Sequence, residues 1–279
     1  VTSDPAHRSL PDVSVVVPCF NEGEAIGDVL ERIVAYLDHE RSTLRSEIVA
    51  VNDGSSDSTG EALHHVSARN PDTVRVITHA ANAGLTQAMK TGAEHASMST
   101  VLFLDADLSY APNTIRDLID AKTRTSAAVS IASPYMAGGR VGNVPLIRLI
   151  ASRGANWLLS FTVGRRIRTF TGMVRAYDRD VFLRLAADVG DGEFNAAMVA
   201  AALRAGLRII EVPAGLIWPL ARTAAAPRLS YATLWKRAKL VLATIAELRG
   251  SGKGFVKFSK TGTLVPVQRP LGPCSPGSG

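Results

Sequence analysis

The stretch Val101-Leu102-Phe103-Leu104-Asp105-Ala106-Asp107 sets four apolar residues against two carboxylates one residue apart. The apolar run predicts a strand buried on both faces, as in a parallel sheet. Its carboxylates fall at the C-terminal end, where open α/β sheets bind ligands. Two acidic side chains brought together and partly desolvated cost free energy unless a cation lies between them. A divalent metal escorting a phosphate suits the pair, because Mg²⁺ takes one or two carboxylates and completes its shell with phosphate oxygens and water. Asp is also common in solvated turns after strands, so the run alone leaves both readings open.

Working outward from it, Val13-Ser14-Val15-Val16-Val17 reads as a first strand stopped by Pro18. Asn21-Glu22-Gly23-Glu24 opens a helix on which Ile26, Val29, Leu30, Ile33, Val34 and Leu37 recur at helical spacing. Glu47 to Val51 is a second strand, followed by the turn-forming and helix-capping cluster Asn52 to Thr59. Val74 to Thr78 is a third, and beyond the Asn82-Ala83-Gly84 turn a helix is expected from about Gly84 to Ala96. This β-α-β-α alternation implies a parallel sheet with helices on both faces and its turns gathered along one edge. No GxGxxG follows the first strand, which argues against a dinucleotide-binding version.

The second half is less regular. A strand is expected at Ala127 to Ser133, then a glycine-rich basic loop from Gly138 to Asn143 and a helix from about Leu146 to Phe161. Helices near Asp180 to Ala187 and Phe194 to Ala205 precede a strand from Leu207 to Val212. Tyr231 to Leu248 has the pattern of a basic amphipathic helix, which suits either an anionic membrane surface or packing on the domain. No repeat and no dividing linker is visible, so residues 12–248 are expected to form one α/β domain, between an N-terminal tail (1–11) and a disordered tail (249–279).

Composition limits the function. The 279 residues are 46% hydrophobic and 20% charged, which suits a folded globular chain. A net charge of +6 points to an anionic partner: nucleotide, phospholipid surface or nucleic acid. Nucleic acid is disfavoured, since no zinc-finger spacing or aromatic RNA-binding signature is present. Two cysteines, Cys19 and Cys274, lack metal-ligand spacing and fit a reducing cytoplasm. Val1 to Pro11 shows no apolar signal segment, and no run is long enough to span a bilayer.

Four segments together resemble the inverting family-2 glycosyltransferases of GT-A fold: Val15 to Glu22, Val51 to Thr59, Asn82 to Leu85 and Leu104 to Leu108. Thr169 to Tyr177 is similar to the Asp-Pro-Thr-Ser-Gly-Phe-Arg-Ala-Tyr segment of polyprenyl-phosphate sugar transferases of the dolichyl-phosphate mannose synthase type. Glu193-Phe194-Asn195 and Arg208 to Pro213 resemble the same subgroup, and Arg222 and Arg228 have the spacing of its Arg-x5-Lys. The resemblance implies a UDP- or GDP-linked sugar donor, Mg²⁺ or Mn²⁺, and inversion at the anomeric carbon. Asp107 is then the direct metal ligand, with Asp105 holding ribose or the metal's water shell. Asp53 would accept a hydrogen bond from the base N–H. Pro18, Asn21 and Glu22 would line the base and ribose pocket, and Asn82 and Gly84 would shape the nucleotide loop. For Asp57 the alternative of a turn and helix cap stands equally.

A phosphate acceptor is already ionised and needs cations, for which Arg148, Arg153, Arg175, Arg222 and Arg228 are the candidates. A hydroxyl acceptor needs a base, and Glu193 is the candidate. The chain departs from the subgroup at several points: Ser109 stands where Gln is usual, Thr169 for Asp, Gly172-Met173 for Ser-Gly, Asn52 for the first Asp of the Asp-Asp-Gly turn, Pro227 for Ser and Arg228 for Lys. The expected function is sugar transfer to a polyprenyl phosphate at the inner face of the membrane. The alternatives are a soluble hydroxyl acceptor, a non-catalytic nucleotide-sugar-binding subunit and, least supported, a nucleotidyltransferase, for which the segment after the first strand lacks a phosphate loop.

Overall fold

A computed structural model describes residues 10–162, 167–189 and 194–218. The chain forms, in order, β1 (Asp12–Cys19), α1 (Ala25–Glu40), β2 (Arg45–Asn52), α2 (Thr59–Arg69), β3 (Val74–Thr78), α3 (Leu85–His95), β4 (Thr100–Phe103) and α4 (Thr114–Thr125). The second half adds β5 (Val129–Ser133), β6 (Arg140–Gly142), α5 (Leu146–Thr162), β7 (Arg175–Asp178), α6 (Arg179–Asp188), α7 (Phe194–Arg204), β8 (Ile209–Pro213) and β9 (Gly215–Ile217).

Seven strands form one sheet in the order β3-β2-β1-β4-β7-β5-β8, and β6 pairs with β9 in a small parallel ribbon. Only β7 runs against its neighbours, antiparallel to both β4 and β5. This is the expected α/β architecture, a mostly parallel central sheet flanked by helices. Side-chain alternation gives each face its own core. Val13, Val15, Val17, Ile48, Ala50, Leu102 and Leu104 face α1, α2 and α4. Val16, Val49, Val51, Val101 and Phe103 face α3, α6 and α7. On the second face α3 lies so close to the sheet that a Cβ on Gly92 would stand 2.2 Å from Val16 Cγ1.

Several expectations need correction. β1 does not stop at Pro18 but stays in register with β2 to Cys19. Val16 O accepts from Leu104 N–H and Cys19 O from Asp53 N–H. Alternation therefore turns position 18 toward the β4 side, beyond the end of β4 at Phe103, where its missing N–H breaks no ladder bond. The Gly138–Asn143 loop contains β6. α4, β7 and β9 were not anticipated. The basic helix expected at 231–248 and the tail 249–279 lie outside the described residues.

The chain runs outward from β1 through β2 to β3 and then crosses back to β4 on the other side of β1. The strand order therefore reverses between β1 and β4, the position at which open α/β sheets form a ligand crevice. The turns that follow β1 and β4 flank it.

Candidate functional site

The turn after β1 is tied to the turn after β2. Asn21, at φ +53°, donates from its amide to Ser55 Oγ (3.1 Å), and its own Oδ1 accepts from Ser56 N–H (3.0 Å). Thr59 Oγ1 accepts the amides of Glu22 (2.8 Å) and Gly23 (2.9 Å) and donates to Asp57 Oδ1 (2.5 Å). Asp57 also accepts from the amides of Thr59 (3.0 Å) and Gly23 (2.9 Å). The Thr59 hydroxyl first, then those amides, hold the Asp57 carboxyl below the usual carboxylate range. Asp57 is thus a turn-fixing cap. Asn52, in the position of the subgroup's Asp, is buried and accepts from Ser55 N–H (3.1 Å).

Asp53 occupies a different environment from the one expected. It is 3% exposed, and its carboxylate accepts from Ala83 N–H (2.9 Å) and Gly84 N–H (2.8 Å), with His79 Nδ1 at 2.7 Å. Three of its roughly four acceptor sites are filled by the protein's own groups. The carboxylate expected to accept from a nucleobase therefore also clamps the Asn82-Ala83-Gly84 loop. On the far side of the ring, His79 Nε2 lies 3.0 Å from Thr91 Oγ1 on α3. His79 and Thr91 were missed. The available signal was a histidine directly after a strand and one step before a turn. Gly54, at φ +67°, makes the close approach possible, since a Cβ there would lie 2.3 Å from the Ala81 carbonyl carbon.

The two carboxylates after β4 are half-buried. Leu104 continues the strand by donating to Val16 O (3.0 Å), and the chain then turns with Leu108 at φ +49°. Asp107 Oδ1 accepts from both the amide (2.9 Å) and the hydroxyl (2.6 Å) of Ser109, which is 4% exposed. Ser109, where the subgroup has glutamine, therefore orients Asp107 through both its amide and its hydroxyl. Ser109 O in turn accepts from Ile217 N–H (2.8 Å), and Tyr110 bridges Leu216, so β9 pins this loop. Burial first, then the negative charge of Asp105, push the Tyr110 phenol up. Among the described residues no three His, Cys, Asp or Glu side chains gather into a metal cage. Two half-buried carboxylates on one loop instead fit a divalent ion that draws its other ligands from substrate phosphate and water.

The remaining expected residues spread around this edge. Pro18 is buried within β1, Glu22 is partly buried and Asn82 is exposed. On α5, the Arg148 guanidinium lies 5.4 Å from the Trp218 ring centre and that of Arg153 5.6 Å from the Tyr135 ring centre. Tyr135 donates to Ser152 Oγ (2.9 Å) on the same helix. Arg175 requires correction as an acceptor ligand: it is 0% exposed, donates to Asn195 O (2.5 Å) and Phe170 O, and has no surface for an acceptor to reach. Thr169, in the position of the subgroup's Asp, is 2% exposed and pairs with Ser133 Oγ at 2.8 Å. Glu193, Arg222 and Arg228 lie outside the described residues. Cys19 is buried, and burial pushes its thiol up, so it is inert. A surface hollow lined by Leu10, Asp12, Leu37 and Arg41 lies at the opposite, N-terminal end of β1 and β2.

Residues 14–185 match the model of the glycosyl transferase family 2. The chain belongs to that family. This glycosyltransferase is 31% identical over 218 residues to the polyprenol monophosphomannose synthase of Mycolicibacterium smegmatis, covering 76% of this chain and 78% of that one. It is 36% identical over 143 residues to the dolichol-phosphate mannosyltransferase of Pyrococcus furiosus, covering 51% of this chain and 39% of the relative. Solved structures share the fold at low identity. The mannosyltransferase PcManGT of Pyrobaculum calidifontis, in complex with GDP-Man and Mn²⁺, matches at TM-score 0.55 and 18% identity over 87% of this chain and 75% of that one. The glucosyl-3-phosphoglycerate synthase of Mycobacterium tuberculosis, bound to Mn²⁺, UDP and phosphoglyceric acid, matches at TM-score 0.59 and 18% identity over 84% and 78%. Both are glycosyltransferases, and the GT-A fold expected from the four motifs is the fold found.

Proposed function

We propose that this glycosyltransferase moves a hexose, with inversion, from a UDP- or GDP-linked donor to a polyprenyl phosphate, with Mg²⁺ or Mn²⁺ held by Asp105 and Asp107. The observation that carries the reading is the Asp105-Ala106-Asp107 loop at the sheet's topological switch point, with Asp107 oriented by Ser109. A metal bound there supplies positive charge to the diphosphate as it leaves. The chain's own residues then have the following tasks. Pro18, Asn21 and Glu22 line the nucleoside side of the crevice. Asp53, through Ala83 and Gly84, holds the loop bearing Asn82. Arg148 and Arg153 on α5, with Arg222 and Arg228 outside the described residues, position the acceptor phosphate. Its oxygen attacks the anomeric carbon opposite the leaving diphosphate, forming one C–O bond as the other breaks. An ionised phosphate needs no base.

The acceptor class is supported by the name of the Mycolicibacterium relative, which aligns with most of both chains. One departure supports a second reading: Thr169, where the subgroup has Asp, spends its hydroxyl on Ser133. A hydroxyl acceptor activated by Glu193 is that reading. The test incubates the full chain with radiolabelled GDP-mannose or UDP-glucose and Mn²⁺, with and without polyprenyl phosphate. Label in the lipid phase, lost with chelator and in Asp107→Ala, is expected. Transfer only to a water-soluble hydroxyl compound would establish the second reading, and full turnover by Asp107→Ala would overturn the metal assignment.

A further inference from the structure

Among the described residues, two buried side-chain polar atoms have no hydrogen-bond partner: Nε of Arg175 and Nε1 of Trp218. Buried groups left in this way are uncommon, and each calls for a partner from outside the fold. Arg175 is 0% exposed and spends its other nitrogens on Phe170 O, Asn195 O and the Tyr177 hydroxyl, so no ligand can reach it. Trp218 is only partly buried. A buried indole N–H usually finds an acceptor, and it can only donate. The partner it lacks is therefore an oxygen that the described residues do not supply.

The surroundings of Trp218 identify that oxygen. Its backbone N–H donates to Gly142 O (3.0 Å) on β6, and the preceding residue, Ile217, donates to Ser109 O (2.8 Å). Trp218 thus stands one residue from the bond that pins the loop of Asp105 and Asp107. The guanidinium of Arg148, a half-buried residue in the first turn of α5, lies over the Trp218 ring at 5.4 Å from its centre. The cation–π contact holds a cation over the ring face beside a donor on the ring's rim. Contacts of about 2.9 Å to two oxygens of one phosphate reach both. A donor-only N–H next to a guanidinium favours an oxygen that carries negative charge. Two phosphate groups come to this edge under the proposed function. The donor's diphosphate has the metal at Asp105 and Asp107 to neutralise it, while the acceptor phosphate has side-chain groups alone.

We propose that the Trp218 indole N–H is a binding group for the acceptor phosphate, donating to one of its oxygens while Arg148 pairs with another. The assignment rests on the proposed lipid-phosphate acceptor and deepens it. Trp218 falls between Arg208 to Pro213 and Arg222, the segments that carry the family resemblance, so no motif pointed to it. Holding Arg148 against the ring before the acceptor arrives lowers the ordering cost of binding. In the unloaded enzyme the N–H is an unmet donor, and removing it takes no hydrogen bond from the fold.

The test compares the full chain with Trp218→Phe, which keeps a ring beneath Arg148 and removes the N–H. Geranyl phosphate, a short soluble prenyl phosphate, is titrated into each by calorimetry, with geraniol as the uncharged control. Trp218→Phe should bind geranyl phosphate about tenfold more weakly and geraniol as the parent does. In transfer assays its KM for polyprenyl phosphate should rise by a similar factor. KM for the nucleotide sugar, and turnover at saturating acceptor, should stay near the parent's. Circular dichroism should be unchanged, and the unliganded variant should melt no lower than the parent, which a merely structural N–H would not allow. Equal affinity of the two proteins for geranyl phosphate would overturn the inference, as would no binding by the parent. A rise in KM confined to the nucleotide sugar would give the N–H to the donor's diphosphate and overturn it too. Weaker geranyl phosphate binding by the variant, with no sugar transfer to lipid by either protein, would leave Trp218 as a phosphate-binding group and remove the proposed acceptor. Transfer to polyprenyl phosphate with equal acceptor KM would do the reverse.

Discussion

The Asp53 carboxylate and the His79 imidazole meet at 2.7 Å at the C-terminal edge of the sheet, and the pair joins three segments. Asp53 follows β2, His79 follows β3, and Thr91 on α3 lies against the other ring nitrogen. The loop that would embrace a nucleotide is therefore held by side chains rather than by sheet hydrogen bonds. Asp53→Ala should leave two amides and an imidazole without their acceptor and cost about 3 kcal/mol in urea unfolding. His79→Asn, whose amide can still reach Asp53, should cost less than His79→Ala, and equal losses would show that the ring's contact with Asp53 contributes nothing.

Gly54 is a point of backbone approach and of left-handed φ together. Gly54→Ala would press a methyl group into the Ala81 carbonyl carbon and strain φ at once. It should lose at least about 3 kcal/mol or fail to fold, read by thermal melting and by yield of soluble protein. A variant that melts with the parent would contradict the placement of the Ala81-Asn82 backbone.

Ser109 donates twice to Asp107, so its side chain sets how the carboxylate is presented. Ser109→Ala keeps the amide bond and removes the hydroxyl. Under the proposed function, the Mn²⁺ concentration for half-maximal turnover should rise by about tenfold, with turnover at saturating metal near the parent's. An unchanged metal requirement would mean that the hydroxyl does not position Asp107.

Glu47 gives the fold an acid-sensitive joint far from the site. Burial pushes its carboxyl up, but the Ser14 hydroxyl (2.6 Å), the Ser97 amide (2.6 Å) and Arg75 more than offset this and leave it below its ordinary 4.5. A carboxyl depressed in the folded state stabilises above its unfolded pKa, and that contribution disappears as pH falls through the folded value. Stability should therefore decline below about pH 4.5, and Glu47→Gln should flatten that part of the curve. The check is urea midpoints across pH 3 to 7; parallel curves for the two proteins would remove Glu47 as the cause.

The first four strands and their turns were legible because parallel core strands are local apolar runs and turns carry local chemistry. The Asp105 and Asp107 carboxylates were visible for the same reason. β7 was not: Arg175-Ala176-Tyr177-Asp178 has no apolar alternation, and its partners Phe103 and Ile131 come from distant strands. Arg175 looked like a surface cation because sequence shows charge but not the carbonyls of Phe170 and Asn195 that let it be buried. The role of Asp53 was hidden in the same way, since its amide donors lie thirty residues downstream. Ser109 was legible only as a departure from glutamine, because its hydrogen bonds to a neighbour two residues away are a matter of local geometry.

The pinning of Ser109 by Ile217, and of Tyr110 by Leu216, has a consequence for how the protein is made. A chain emerging from the ribosome N-terminus first has the turns after β1 to β4 in hand by Tyr110. The Ser109-Tyr110 end of the loop that bears Asp105 and Asp107 still lacks its β9 partner until about a hundred further residues have followed. This edge of the sheet is thus closed by the last described strand, and a nascent or truncated chain that stops before Leu216 holds the motifs without the latch that sets their shape.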